Sequence, residues 1–287
     1  MSTVKLASRG WYHAMGIATE QLHQEGFPRA LMDAFQRAFT YDASVMLIYP
    51  KDSMPTLIYE EDISGVIEKQ GAISYYLEGI YLLDPFYQKA MQQPDPGLYS
   101  LKDVAPDHFY RSEFYNRHYR HIHHKDEINY LLPVEDVGTV AISIGCTRRF
   151  SQAEMDRFYA IEPWVLSVMK SHWRTPASRQ KSSPEHADLH QKLTASFQNF
   201  GRSQLTDREC DVAQLILKGH SSKSAALKLN ISGETIKVHR RNIYKKLDLQ
   251  SQSELFSLFL NSLATQRQGS EYADPLEAYL TKLDRTQ

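Results

Sequence analysis

The chain has 287 residues, with 33 Lys and Arg against 34 Asp and Glu and a hydrophobic content of 42%. That composition excludes wholesale disorder and collagen-like repeats, and the length suggests two unequal domains. No apolar run approaches the roughly 20 residues a membrane helix needs. The opening Met1-Ser2-Thr3-Val4-Lys5-Leu6 lacks an apolar signal core, and Cys146 and Cys210 stand too isolated for a disulfide framework or a four-ligand zinc site. A cytoplasmic protein is the expectation.

Hydrophobic periodicity in the first 174 residues predicts helices over Trp11–His23, Pro28–Thr40, Gly65–Leu82, Pro85–Gln92, Asp107–His123 and Ser151–Trp173. Short β-branched or apolar runs predict strands at Ser44–Tyr49, Thr56–Glu60, Leu98–Leu101, Ile128–Pro133 and Thr139–Gly145. Helices at both ends and in the middle imply an α/β/α sandwich around a five-stranded antiparallel sheet, an α+β class. A phosphoacceptor domain would alternate strand and helix regularly, with an early acidic pair, and neither is present. A polar stretch with two prolines follows Arg174 and reads as a linker over 175–200, with a short helix in its second half.

Split by segment, the charge is uneven. Residues 1–199 carry a net −4, residues 200–265 a net +4 and residues 266–287 a net −1. The block 201–265 is therefore the basic part, as suits a polyanion partner.

Within that block, Thr206 with Glu209 forms a capping box, Val212 and Leu215 supply an apolar stripe, and Gly219 ends the helix. A second helix is expected over Ser222–Leu229, and Ser232 caps a third that runs to about Leu247. On the third helix Ile236, His239, Ile243 and Leu247 share one face. Glu234, Lys237, Val238, Arg241 and Lys245 share the opposite, mostly basic one. A short turn between two helices, the second with such a face, suits the DNA major groove.

Leu205-Thr206-Asp207-Arg208-Glu209, Gly219, Lys223, Ile231-Ser232, Thr235-Ile236-Lys237-Val238-His239, Ile243 and Lys246-Leu247 resemble the LuxR-type DNA-binding domain over about 50 contiguous residues. Ser222, Ser224, Asp248 and Gln252 depart from its usual Asn, Glu, Gly and Arg. The resemblance implies double-stranded DNA as partner, with Lys237, Val238 and Arg241 at base edges and Lys223, Thr235 and Lys245 at phosphates. The chemistry agrees, since Arg and Lys match guanine acceptors and Val can pack on a thymine methyl. A fourth helix capped by Ser251 and Glu254 either pairs two such domains or closes the small core. In the tail, Asp274 caps a further helix whose Leu276, Tyr279, Leu280 and Leu283 call for a cover from the sensor domain or a second subunit.

Tyr75, Asp84-Pro85 and Tyr99 have the spacing found in the pocket of autoinducer-binding domains, and the first 174 residues resemble such GAF-like sensors. Gly71 takes the place of that family's lactone-contacting Trp, which argues against an acyl-homoserine lactone. The resemblance implies a small ligand held by Tyr75, Tyr76, Asp84 and Tyr99. A carboxylate among tyrosines suits an amine or amide. Asp84 could instead only cap the helix that begins at Pro85. The run His118, His121, His123, His124 lies among Arg117, Arg120 and Lys125, and reads as a basic aromatic segment rather than a metal site. No catalytic arrangement and no cofactor are expected. The sequence thus implies a dimeric, ligand-responsive transcription regulator; the alternative is one whose first domain only dimerises or docks a protein.

Overall fold

The computed structural model describes residues 8–65, 72–120, 122–174, 184–267 and 274–284. In chain order these form α1 (Arg9–Glu20), α2 (Phe27–Ala38), β1 (Ala43–Tyr49), β2 (Thr56–Asp62), α3 (Ala72–Leu77), α4 (Pro85–Met91), β3 (Gly97–Ser100), α5 (Leu101–Val104), β4 (Asp126–Val134), β5 (Gly138–Cys146) and α6 (Gln152–Trp173). Helices α7 (Pro184–Asn199), α8 (Asp207–Leu217), α9 (Ser222–Leu229), α10 (Gly233–Lys246), α11 (Gln252–Arg267) and α12 (Pro275–Asp284) follow. The class is α+β. The residues Met1–Leu6, Gly71 and His121, the start of the helix expected at Gly65, and the linker stretch 175–183 lie outside the described residues.

By compactness the chain divides into two units: Met1–Ala72, Phe86–Val104 and Arg120–Ser183 in one, and Ile73–Pro85, Ala105–Tyr119 and Pro184–Gln287 in the other. Two segments from ahead of Arg174 thus join the C-terminal helices.

The first unit holds the sheet, in the order β2-β1-β5-β4-β3, antiparallel throughout. Strand pairing puts Met46, Ile142 and Tyr130 in one row and Ile48, Val140 and Leu132 in the next, all on one face. That face is buried against Trp11, Phe27, Leu31 and Phe35 of α1 and α2 and Phe158, Val165 and Trp173 of α6. Burying each such side chain is worth about 1.5–3 kcal/mol. The Phe39 and Phe158 rings stack 3.9 Å apart, and the Tyr130 hydroxyl donates to the Phe158 carbonyl at 2.8 Å. The other face is more polar. There Glu127 accepts from Asn129 at 2.8 Å and from Ser143 at 2.6 Å. At the head of α6, Ser151 and Glu154 complete a capping box. A hydrogen bond from Arg148 draws the Glu154 carboxyl down to about 2.

In the second unit two expected helices are shorter than their periodicity. Of the stretch expected over 107–123, the described residues form a 3-10 turn at Phe109–Arg111 and, after Ser112, a short helical turn that runs into a π turn at Tyr115–Tyr119. Ser112 is the breaker: its hydroxyl donates to the Phe109 carbonyl at 2.6 Å and accepts from the Tyr115 N–H at 3.1 Å, replacing backbone pairs. After α3 the chain turns at Gly79, whose φ of +121° favours glycine, into a 3-10 turn at Ile80–Leu83. Burial pushes the Cys146 and Cys210 thiols up to about 11, which suits small buried hydrophobes.

His172 packs as a neutral ring. It stacks on Phe27 at 4.2 Å and accepts the His23 N–H through Nδ1 at 3.1 Å, and burial draws its pKa down to about 4. Because the folded value lies below that of a free imidazole, the unfolded chain takes up the proton first as pH falls. The sheet unit should lose about 1–2 kcal/mol between pH 7 and pH 5. All three tryptophans, Trp11, Trp164 and Trp173, belong to this unit, so their fluorescence during urea unfolding reads it directly. A midpoint unchanged over that range would contradict the assignment.

Candidate nucleic-acid interface

Helix α8 begins as its sequence dictates. The Thr206 hydroxyl accepts the Glu209 N–H, and Glu209 accepts the Thr206 N–H at 2.9 Å, so both orphan donors are satisfied. Gly219, at φ +89°, ends the turn after α8. Ser221 then caps α9 by accepting the Ser224 N–H at 3.1 Å. Asn230 closes α9 in the left-handed region, and Ser232 caps α10 by accepting the Thr235 N–H at 3.0 Å. Asp248, at the position of the family's glycine, also has a positive φ, +51°.

Ile236 and Ile243 of α10 are buried, and α10 packs on α8 and α9. Val212, Ala213, Ile216 and Leu217 of α8 and Ala225 and Ala226 of α9 complete that core. Lys237, Val238, Arg241 and Lys245 are exposed on the other side, with Thr235 at the start of the helix. Val238 is 44% exposed, an apolar side chain left in water among cations. Lys223 is exposed in the first turn of α9. The Thr235 hydroxyl is bonded to Ser232 at 2.8 Å, and Lys237 pairs with Glu234 at 2.7 Å on the open surface, where such a pair contributes little.

A buried charge fixes the angle of α10, and periodicity does not report it. Glu209 is 3% exposed and receives Lys246 from the end of α10 at 2.7 Å. Burial opposes its ionisation, but the bonds from Lys246 and Thr206 outweigh that, and its carboxyl lies below the usual range. Arg208 of α8 adds a bond to the Leu229 carbonyl at 3.1 Å.

The tail helix has a cover within its own unit. Helix α12 packs on α11, and the Asp274 carboxylate, besides capping α12 through the Leu276 N–H at 2.9 Å, accepts from Gly201 N–H at 3.0 Å and from the Ser203 N–H and hydroxyl at 2.7 Å each. Those loop contacts give the tail an intramolecular partner. Helix α11 itself buries Leu255, Phe256, Phe259 and Leu263, with Phe197 and Phe200 edge-on to Phe259.

Of the residues assigned to a ligand, the structure brings Tyr76 and Asp84 together: the hydroxyl donates to Oδ2 at 2.6 Å, and both are buried. Tyr75 is half-buried beside Tyr76 on α3, and burial raises its pKa. The Tyr76 ring lies 5.6 Å from His118, which itself stacks on Phe114. Tyr99 belongs to the sheet unit, where its hydroxyl donates to the Asp95 carbonyl at 2.8 Å and Lys89 lies 5.0 Å above its ring. A cleft of about 660 Å³ beside the β4–β5 turn is lined by Tyr49, Lys51, Met91 and Gly138 among others, and contains none of these residues. Among the described residues, no three His, Cys, Asp or Glu side chains converge on a metal position, and no helix is long and apolar enough to cross a membrane.

A helix pair whose second member shows water an exposed basic face, held on a small helical core, defines a DNA-binding regulator of transcription. The family of bacterial regulatory proteins known as luxR family, or GerE, matches residues 203–259. A protein of Aeromonas salmonicida known as the HTH-type transcriptional regulator in the exeN 3′ region is 31% identical over 191 residues, 63% of this chain and 95% of that protein. The nitrate/nitrite response regulator protein NarP of Escherichia coli K12 is 44% identical over 64 residues, 22% of this chain and 30% of that protein. Among solved structures, the VqsR LBD domain from Pseudomonas aeruginosa is similar with a TM-score of 0.51 and 30% identity, covering 57% of this chain and 97% of that one. The chain belongs to the luxR family of bacterial regulatory proteins.

Replacing Lys246 by Met leaves the Glu209 carboxylate buried without its cation. We expect a loss of about 1–2 kcal/mol, reduced from the value for a fully buried pair because Lys246 is partly exposed. Since the folded pKa of Glu209 is depressed, its contribution is full above about pH 4.5 and fades as pH falls through the folded value. Urea unfolding followed by circular dichroism tests both; a variant as stable as the parent would remove Glu209 from this role.

Proposed function

We propose that the chain is a ligand-responsive, sequence-specific regulator that reads the major groove with α10. The observation that carries this reading is the exposed set Lys237, Val238, Arg241 and Lys245 on α10, with Lys223 beside it on α9. In this reading Lys237, Val238 and Arg241 meet base edges, and Lys223, Thr235 and Lys245 hold phosphates. The protein acts as a homodimer in the cytoplasm. Residues 1–174 supply the sensor, 175–200 the connection, 201–265 the DNA-reading block and 266–287 the tail. Arg241→Ala should cost about 1–3 kcal/mol and relax the preference at one base pair, whereas Lys223→Ala should weaken every sequence alike and flatten the salt slope by roughly one. Selection from a random duplex pool with each variant, followed by titration at several salt concentrations, separates the two. Equal weakening of all sequences by Arg241→Ala would remove it from base reading.

The sensor reading draws its support from the likeness to the VqsR LBD domain and from the bonded pair Tyr76 and Asp84. Asp84 accepts a hydrogen bond from a ligand amine or amide, with Tyr75 and Tyr76 beside it. Ligand control then needs different affinities for two arrangements of the protein, because a ligand indifferent to them shifts nothing. A binder found in a thermal-shift screen of amines and amides should lose at least about tenfold in affinity with Asp84→Asn, equivalent to 1.4 kcal/mol. Unchanged affinity would make Asp84 a structural partner of Tyr76 only.

A further inference from the structure

The second unit contains a segment, residues 105–119, that is bound to the helix-turn-helix at three places. The first is the start of α9. Asp107 accepts the Ser221 N–H at 3.0 Å and the Ser221 hydroxyl through its other oxygen. The second is the turn before α9, where the His108 N–H donates to the Gly219 carbonyl at 3.2 Å. The approach there is close: a Cβ on Gly219 would lie 3.1 Å from the Ser112 Cβ and 3.3 Å from the Phe109 Cα. The third is α11. Arg117 donates to Ser257 at 2.7 Å and Ser253 at 3.3 Å, its guanidinium lies 5.3 Å from the centre of the Phe256 ring, and Glu113 accepts from Ser253 at 3.1 Å.

The chemistry at the first place is that of a phosphate site. A backbone N–H and a serine hydroxyl at a helix start, with an exposed lysine in the first turn, are the groups that hold DNA backbone oxygens. In this structure the N–H and hydroxyl of Ser221 hold a carboxylate of the same chain. Its two oxygens take the N–H and hydroxyl of Ser221, two donors that a phosphate would use, and Ser221 stands two positions before Lys223 at the same end of α9. Burial opposes ionisation of Asp107, but the two Ser221 donors outweigh it and hold the carboxyl below its usual range.

We propose that residues 105–119 form an autoinhibitory strap in which Asp107 occupies the place of a DNA phosphate at the start of α9, so that full DNA binding requires the strap to leave. The proposal rests on the DNA-reading assignment of α9 and α10 given above. Since the contested partner is a phosphate and not a base, relief of the strap strengthens binding to all sequences alike. Apparent affinity is the intrinsic affinity reduced by the fraction of molecules whose site is free, so weakening the strap raises it directly.

The test uses the full chain and two probes: a mixed-sequence duplex of about 20 base pairs, and a duplex selected from a random pool by the parent protein. Asp107→Asn keeps an acceptor for Ser221 but removes the charge, and it should tighten binding to both duplexes by at least about fivefold. Arg117→Ala loosens the strap at α11 without touching α9, and should act in the same direction. In the parent, hydrogen exchange at the His108 amide should be protected in the free protein and speed up when DNA is added. Affinities equal to or below the parent's in both variants, with an unaltered unfolding midpoint, would overturn the proposal, as would an His108 amide equally protected with and without DNA. Lys223→Ala separates this from a failure of the underlying assignment. If it leaves the parent's affinity and salt slope unchanged, the placing of α9 on the phosphate backbone has failed, whatever Asp107→Asn does.

Discussion

The helix-turn-helix depends on one buried carboxylate. Glu209 closes the cap of α8 and at the same time binds the far end of α10 through Lys246. A recognition helix has to show one face to water while burying the other. Its apolar side here is narrow, with Ile236 and Ile243 as its buried members. Two such side chains fix depth better than they fix direction, and a charged bond at the helix end restricts the remaining freedom. The cost of burying Glu209 is offset because every donor that reaches it is already committed to the fold.

Where structure follows from neighbours in the chain, the sequence reveals it well. All five strands occur within about two residues of their expected ends, because each is a short β-branched run between breakers. The helix starts at Ser151, Thr206, Ser221 and Ser232 are capped by the side chains themselves, a signal contained within four residues. The exposed face of α10 is legible for the same reason. Asp107–His123 failed because periodicity counts apolar residues and does not register a serine that bonds to its own backbone. Ser112 does so on both of its sides, within what would have been one helix.

Partners far apart in sequence left no trace. Asp107 and Ser221 are separated by more than a hundred positions, and neither residue type is unusual in its own surroundings. The Asp274 carboxylate was legible as the cap of α12, but its bonds to Gly201 and Ser203 were not. For the candidate ligand residues, the spacing singled out Tyr75, Asp84 and Tyr99, whereas the tyrosine bonded to Asp84 is Tyr76; what else reaches the pair depends on contacts that no local pattern encodes.

The second unit is assembled from three stretches of chain, Ile73–Pro85, Ala105–Tyr119 and Pro184–Gln287. During synthesis the first two emerge well before the helices they pack on. At the usual speed of a ribosome, Tyr119 precedes the start of α8 by on the order of ten seconds. Through that interval Tyr81, Phe109 and Phe114, all fully buried in the finished fold, have no C-terminal helices to cover them. The nascent chain therefore carries these aromatics, for that interval, without the C-terminal stretch that completes their unit, a window in which transiently exposed apolar surface invites chaperone binding.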